Sequence, residues 1–365
     1  MFADIDLRAL AEMTAPERAF LSVYLSGPRS AGELSKKFTA IRRLLSGDGP
    51  ARDEREHFDE NASAVLKHLE QNTLASGAFC LFSCWALDFL QAVEIAAPVK
   101  DLVRIDSSPY IRPLAELRDE YENVAVVVAD NRRARIFLVS SAVAGPEETV
   151  RGNVKNHVRK GGWSQQRYER RRDKQLLAYV REIADALARL DQEETFRRIV
   201  LVGGKEALAV LYENLPQALR DKVSQKAIDL GSSEAALNAD IMDLFVEAER
   251  RSEKDLWERI KGEVLRGGLG VVGLDEVLWA ARAGQVESMI VDRTYRPEGR
   301  RCRDCGNLEV AIVEACTACG SDSLFTVDVV NELVGMLELT GASADFADPI
   351  ESLTGAGGIG ALLRY

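Results

Sequence analysis

The chain has 365 residues, 46% hydrophobic and 29% charged, with 47 Lys and Arg against 58 Asp and Glu for a formal net charge of −11. That apolar content excludes a disordered chain, and no stretch approaches the roughly 18 uninterrupted apolar residues that span a bilayer, so no membrane partner is expected. Asp4, Asp6 and Arg8 interrupt any apolar leader, which predicts a cytoplasmic protein, and the length predicts about two or three domains.

In chain order, Phe20 to Leu25 predicts a short strand, and Glu33 to Leu45 and Asp53 to Asn72 predict helices separated by a break at Gly47–Pro50. Phe79 to Trp85 and Phe89 to Ile95 predict paired strands, and Pro98, Pro109 and Pro113 mark a linker. Val124 to Ala129 and Ala134 to Val139 are expected as strands about a turn at Asp130–Arg133, followed by a loop from about Ala142 to Gly162. Gln165 to Leu190 predicts a long helix, with Leu176, Leu177, Val180, Ile183, Ala184 and Leu187 at spacings of three and four. A strand at Ile199–Val202, a helix at Glu206–Asn214, a strand at Ala227–Leu230 and a helix from Glu234 to about Val264 follow. The last third reads as a helix at Leu274–Ala283, a strand at Val286–Val291, a cysteine-bearing insertion, a helix at Val327–Leu339 and a closing strand at Ile359–Leu363. The expected fold class is α/β and α+β in three domains. These are an N-terminal α+β domain (1–120), a middle domain (121–265) with a central mixed sheet flanked by helices, and a C-terminal α/β domain (266–365) carrying the insertion.

The net charge argues against a nucleic-acid partner, but its distribution does not. Between Arg151 and Lys174 stand nine basic residues, among them Arg151, Lys155, Arg159, Lys160, Arg167, Arg170 and Arg171, against Glu169 and Asp173. This segment is +7 and the rest of the chain −18. Two readings stay open: a phosphate-binding surface, which releases counterions on binding, or a solvated arginine-rich helix face. His157 joins the basic loop, which ends in Gly161-Gly162. Two glycines let a backbone pass close to another surface, and Trp163 either stacks on an exposed base or folds back on the helix. Val202-Gly203-Gly204-Lys205 lacks the spacing of a phosphate-binding loop and reads as a strand-to-helix turn.

Cys302-Arg303-Asp304-Cys305 and Cys316-Thr317-Ala318-Cys319 are two C-x-x-C pairs ten residues apart, each followed by a glycine, Gly306 or Gly320. The pattern predicts a zinc knuckle with four thiolate ligands and a structural role, in preference to free or redox-active cysteines. Cys80 and Cys84 lie on an apolar stretch and are expected as buried core thiols. His57, His68 and His157 form no catalytic arrangement.

Taken in order, these motifs resemble the archaeo-eukaryotic class-one peptide release factors and Pelota. The matching stretches are Gly161-Gly162-Trp163-Ser164-Gln165-Gln166-Arg167-Tyr168-Glu169-Arg170, the paired cysteines, Gly273 to Asp292, and the closing Gly357-Gly358-Ile359-Gly360-Ala361-Leu362-Leu363-Arg364-Tyr365. The resemblance implies a tRNA-shaped protein of three domains. The first would face the decoding centre, the basic loop would reach the peptidyl-transferase centre, and the third would meet a translational GTPase. Where the family has a glutamine that helps water attack the peptidyl-tRNA ester, this chain has Trp163, and the family's stop-codon-reading motifs are not found. The implied function is therefore A-site binding to ribosomal RNA in hibernation or rescue, without hydrolysis. In this the chain is similar to Pelota and to the bacterial hibernation factor Balon, which acts with EF-Tu. The alternative is a release factor that hydrolyses peptidyl-tRNA.

Overall fold

Two stretches far apart in sequence, Met1–Asp119 and Trp257–Tyr365, fold together as one unit in the computed structural model, and Glu120–Leu256 forms a second. The first and third of the expected segments are thus joined. The structure describes residues 6–15, 17–27, 31–45, 50–72, 78–95, 99–120, 124–129, 133–140, 143–151, 163–193, 196, 198–228, 234–310 and 313–365.

The N-terminal stretch holds α1 (Leu7–Ala11), β1 (Phe20–Leu25), α2 (Ala31–Leu44), α3 (Pro50–Gln71), β2 (Ala78–Cys84), β3 (Phe89–Ile95), β4 (Leu102–Asp106) and α4 (Arg112–Glu120). Its strands make an antiparallel sheet in the order β3-β2-β1-β4. One face of β1 and β2, carrying Leu21, Val23, Phe79 and Leu81, packs on Leu34 and Phe38 of α2 and Phe58 and Val65 of α3. The other face, with Tyr24, Cys80 and Cys84, is buried as well. Burial pushes the Cys80 thiol up to about 12, so it is an inert core group. The expected linker between Pro98 and Pro113 is corrected here: it contains β4, which pairs with β1, and the start of α4. Pro113 sits in the first turn of α4, where its missing N–H costs nothing.

The second unit contains β5 (Val124–Ala129), β6 (Arg133–Ser140), β7 (Val143–Arg151), α5 (Trp163–Glu193), β8 (Arg198–Gly203), α6 (Lys205–Asn214), α7 (Gln217–Arg220), β9 (Val223–Ile228) and the first part of α8 (Glu234–Leu265). Its sheet is mixed, in the order β7-β6-β5-β8-β9, with β5, β8 and β9 parallel and β6 and β7 antiparallel. Ala125, Val127, Ile136, Ile199 and Leu201 pack on Leu176, Val180, Ile183 and Leu187 of α5 and on Leu208 and Leu211 of α6. The expected loop after Ala142 is in part the edge strand β7, and the expected strand at Ala227–Leu230 begins earlier, at Val223. The Gly203–Gly204 turn has a steric origin. Gly203 has φ +139°, and a Cβ there would stand 1.8 Å from the carbonyl oxygen of Ala129.

The C-terminal stretch holds β10 (Gly270–Val272), α9 (Leu274–Arg282), β11 (Val286–Asp292), β12 (Glu298–Cys302), β13 (Leu308–Glu309), β14 (Leu324–Asp328), α10 (Val329–Thr340), β15 (Ser343–Ala347), α11 (Glu351–Gly355) and β16 (Ile359–Leu363). Four strands form a sheet in the order β10-β16-β11-β15, and three form a small one, β13-β12-β14. The expected helix from Val327 starts two residues later. Asp328 ends β14 and caps α10, accepting from the N–H of Val330 at 3.0 Å.

Polar contacts join the two stretches of the first unit. Asn331 Oδ1 accepts from the N–H of Ile111 at 2.9 Å and of Arg112 at 3.0 Å. Buried Arg112 reaches Asp328 at 3.3 Å, Glu116 at 2.7 Å and the carbonyl of Tyr295 at 3.0 Å. Among the described residues, no helix is long and apolar enough to cross a membrane.

Candidate functional site

Two of the predicted sites differ in how far the structure describes them. Arg151 is the last residue of β7, Trp163 the first of α5, and Arg167, Arg170 and Arg171 follow in the first turns of that helix. Lys155, His157, Arg159, Lys160, Gly161 and Gly162 lie outside the described residues. The basic segment therefore runs from the end of an edge strand into the start of a 31-residue helix.

The four cysteines come together. Sγ of Cys302 lies 3.6 Å from that of Cys319, Sγ of Cys305 lies 3.5 Å from that of Cys316, and all four are within 4.8 Å of one another. These separations are too long for disulfides. They approach the edge of about 3.8 Å that a tetrahedron with ~2.3 Å metal–sulfur bonds requires, so the set can bind one metal ion. Each pair is built alike. The N–H of Gly306 donates to the carbonyl of Cys302 at 3.0 Å, and that of Gly320 to Cys316 at 2.8 Å. Both glycines have positive φ, 72° and 78°, as the tight turn demands. Cys302 and Cys316 are buried, while Cys305 and Cys319 are exposed.

The thiols hold their protons unequally. Burial pushes the Cys316 thiol up, but the backbone N–H groups of Cys319 and Ala318 and the neighbouring thiols outweigh it and bring it to about 7. For Cys319, the N–H of Ser321 pulls down, but Cys305 and Cys302 prevail and push it up to about 12. Four sulfurs this close cannot all ionise without a cation between them.

The surroundings of the knuckle contain residues that spacing did not single out. Glu309 joins the two pairs, accepting from Asn307 Nδ2 at 2.7 Å and from Thr317 N–H at 2.9 Å and Oγ1 at 2.6 Å. These bonds, Thr317 foremost, hold its carboxyl below the usual carboxylate range. Arg301 pairs with Glu332 of α10 and reaches Ser107 Oγ at 3.2 Å. Arg303, between Cys302 and Cys305, pairs with Glu54 of α3. Burial pushes the Glu332 carboxyl up to about 7, against the opposing pull of Arg301. Their sequence signal was weak, since arginine and glutamate are normally surface residues.

Residues 109–250 match the profile of Bacterial archaeo-eukaryotic release factor family 10, a stretch that includes the basic segment. Over 285 residues the chain is 27% identical to peptide chain release factor subunit 1 of Archaeoglobus fulgidus, covering 71% of this chain and 70% of that one. It is 27% identical over 231 residues to the corresponding subunit of Methanopyrus kandleri, covering 59% of this chain and 55% of that one. Among solved structures, the archaeal translation termination factor aRF1 aligns with 98% of this chain and 96% of its own, at 16% identity and a TM-score of 0.28.

Proposed function

We propose, from this chain's membership of the archaeo-eukaryotic release-factor superfamily, that it binds the ribosomal A site and acts in ribosome hibernation or rescue without hydrolysing peptidyl-tRNA. The observation that carries this reading is Gly161-Gly162-Trp163 at the entry to α5, inside a segment of charge +7. The charge supports contact with ribosomal RNA backbone through Arg151, Lys155, His157, Arg159, Lys160, Arg167, Arg170 and Arg171. The indole of Trp163 has one N–H donor and no acceptor, so it cannot orient a water as an amide oxygen does. An indole is also much larger than an amide side chain and would crowd the space that such a water needs.

Cys302, Cys305, Cys316 and Cys319 would hold a zinc ion with a structural role, since four thiolates leave no open coordination position. The acidic C-terminal stretch would face a protein partner, EF-Tu or another translational GTPase. The alternative is peptidyl-tRNA hydrolysis by the backbone groups of Gly161 and Gly162. It is favoured by the relatives named as peptide chain release factors.

The test is to sediment the purified protein with idle and with translating ribosomes, and to add it to stalled complexes carrying peptidyl-tRNA. Association with idle or stalled ribosomes and no peptide release are expected. Release that disappears in Gly162→Ala would establish the alternative, and no association under any condition would overturn both.

A further inference from the structure

We propose that the metal at the four-cysteine knuckle fixes helix α3 of the N-terminal stretch, through Arg303, so that metal loading controls how the two stretches of the first unit are held together. This rests on the reading of the knuckle as a metal centre.

Arg303 stands between two ligand positions, Cys302 and Cys305. Its guanidinium leaves the knuckle and pairs with Glu54, 249 residues away on α3. Glu54 is buried, 6% exposed, and the Arg303 side chain is partly buried, 14% exposed. The guanidinium also lies 5.2 Å from the centre of the Phe325 ring, on β14. Arg18, from the N-terminal stretch, lies 5.5 Å from the centre of the same ring and donates to the carbonyl of Thr326 at 3.4 Å. Arg301, just before Cys302, makes the second crossing, to Ser107. The knuckle thus carries two partly buried charges that meet the N-terminal stretch, one on each side of Cys302.

Those charges depend on the local chain path. The stretch from Glu298 to Asp328 has a sheet whose central strand pairs with a two-residue strand and a five-residue one. A segment of this size buries little apolar surface of its own, so a metal adds to what its contacts with the rest of the unit supply. Without an ion, the contacts that join the two cysteine turns among the described residues are weak thiol contacts, the bonds to Glu309 and a 3.9 Å contact of Asn307 Nδ2 with Cys316 Sγ. Relaxing the turn moves Arg303 and leaves the buried Glu54 with Arg18, at 4.0 Å, as its remaining cation, which weakens the hold on α3.

The experiment uses the full chain. Zinc content is measured by native mass spectrometry, and hydrogen–deuterium exchange is followed in α3 and in the knuckle, with zinc and after chelation. Chelation is expected to raise exchange in α3 by about tenfold or more, together with the knuckle. Glu54→Gln is expected to show raised α3 exchange with zinc bound and little further change on chelation. Arg303→Gln reports the same coupling from the other side, should one variant fold poorly. Zinc that binds, with α3 unmoved by its removal, would overturn the inference alone. A chain that binds no zinc would overturn it together with the metal-centre reading.

Discussion

Arg112 brings a full positive charge to a place that water does not reach, and its partners are drawn from both stretches of the first unit: Glu116 on α4, Asp328 and the carbonyl of Tyr295. Asp328 meanwhile caps α10 and accepts from the hydroxyl of Tyr110 at 2.7 Å. Arg112→Met would leave Asp328 charged, buried and short of its cation. The expected loss is about 3–5 kcal/mol, read as a lower urea midpoint. Glu332 makes a pH-dependent contribution in the same region. Its folded value of about 7 lies above the ordinary 4.5, so the folded state binds its proton more tightly than the unfolded chain does. Stability from this group is therefore fully present below about pH 4.5 and is lost as pH rises through about 7, by at most roughly 3 kcal/mol. Asp106, also raised by burial, acts in the same direction. Unfolding midpoints between pH 5 and 8 are expected to fall with pH in the wild type and to fall less in Glu332→Gln. An equal slope in both proteins would show that Glu332 does not titrate in this range.

At the scale of elements, the turn from β8 to α6 admits a direct test. Gly203→Ala would push a methyl group against the carbonyl of Ala129, its partner across β5, at a φ that disfavours any side chain. A loss of about 3 kcal/mol is expected, with the thermal midpoint of the second unit lowered. The elements that sequence made legible are those with a buried, regular pattern: β1, β2, β5 and β8 are nearly continuous apolar runs, and α5 repeats its apolar residues at three and four. The elements it hid are edges and caps. β7 carries Gly145 and Pro146, which lie where its register against β6 shifts between Phe137 and Val139. An edge strand with such an irregularity tolerates a proline. β4 is also an edge, and only its last residue is fully buried, so it lacks a clear pattern. The cysteine cluster was legible because its cysteines repeat a fixed local spacing. Glu54 and Glu332 were not, because a partner 249 or 31 residues away in the chain leaves no periodic mark.

For the whole molecule, charge is distributed unevenly along the chain. The segment from Arg151 to Lys174 is +7 and everything else sums to −18. A polyanion such as the proposed ribosomal partner would repel most of such a chain and attract one part of it, which would orient the encounter as well as strengthen it. Binding carried by that segment must release counterions roughly in proportion to the phosphates it neutralises. Neutralising Arg159, Lys160, Arg167 and Arg170 to glutamine is therefore expected to weaken ribosome binding at low salt. It should also make the dependence of log affinity on log salt shallower by about three units, since each lost contact removes slightly less than one. Lys261, Arg266 and Lys222, which pair with Glu258, Glu263 and Asp191, serve as controls. Their charges are already met within the protein, so glutamine there should leave the slope unchanged. A slope that responds equally to both sets would mean that net charge alone, and not the basic segment, governs attraction to the ribosome.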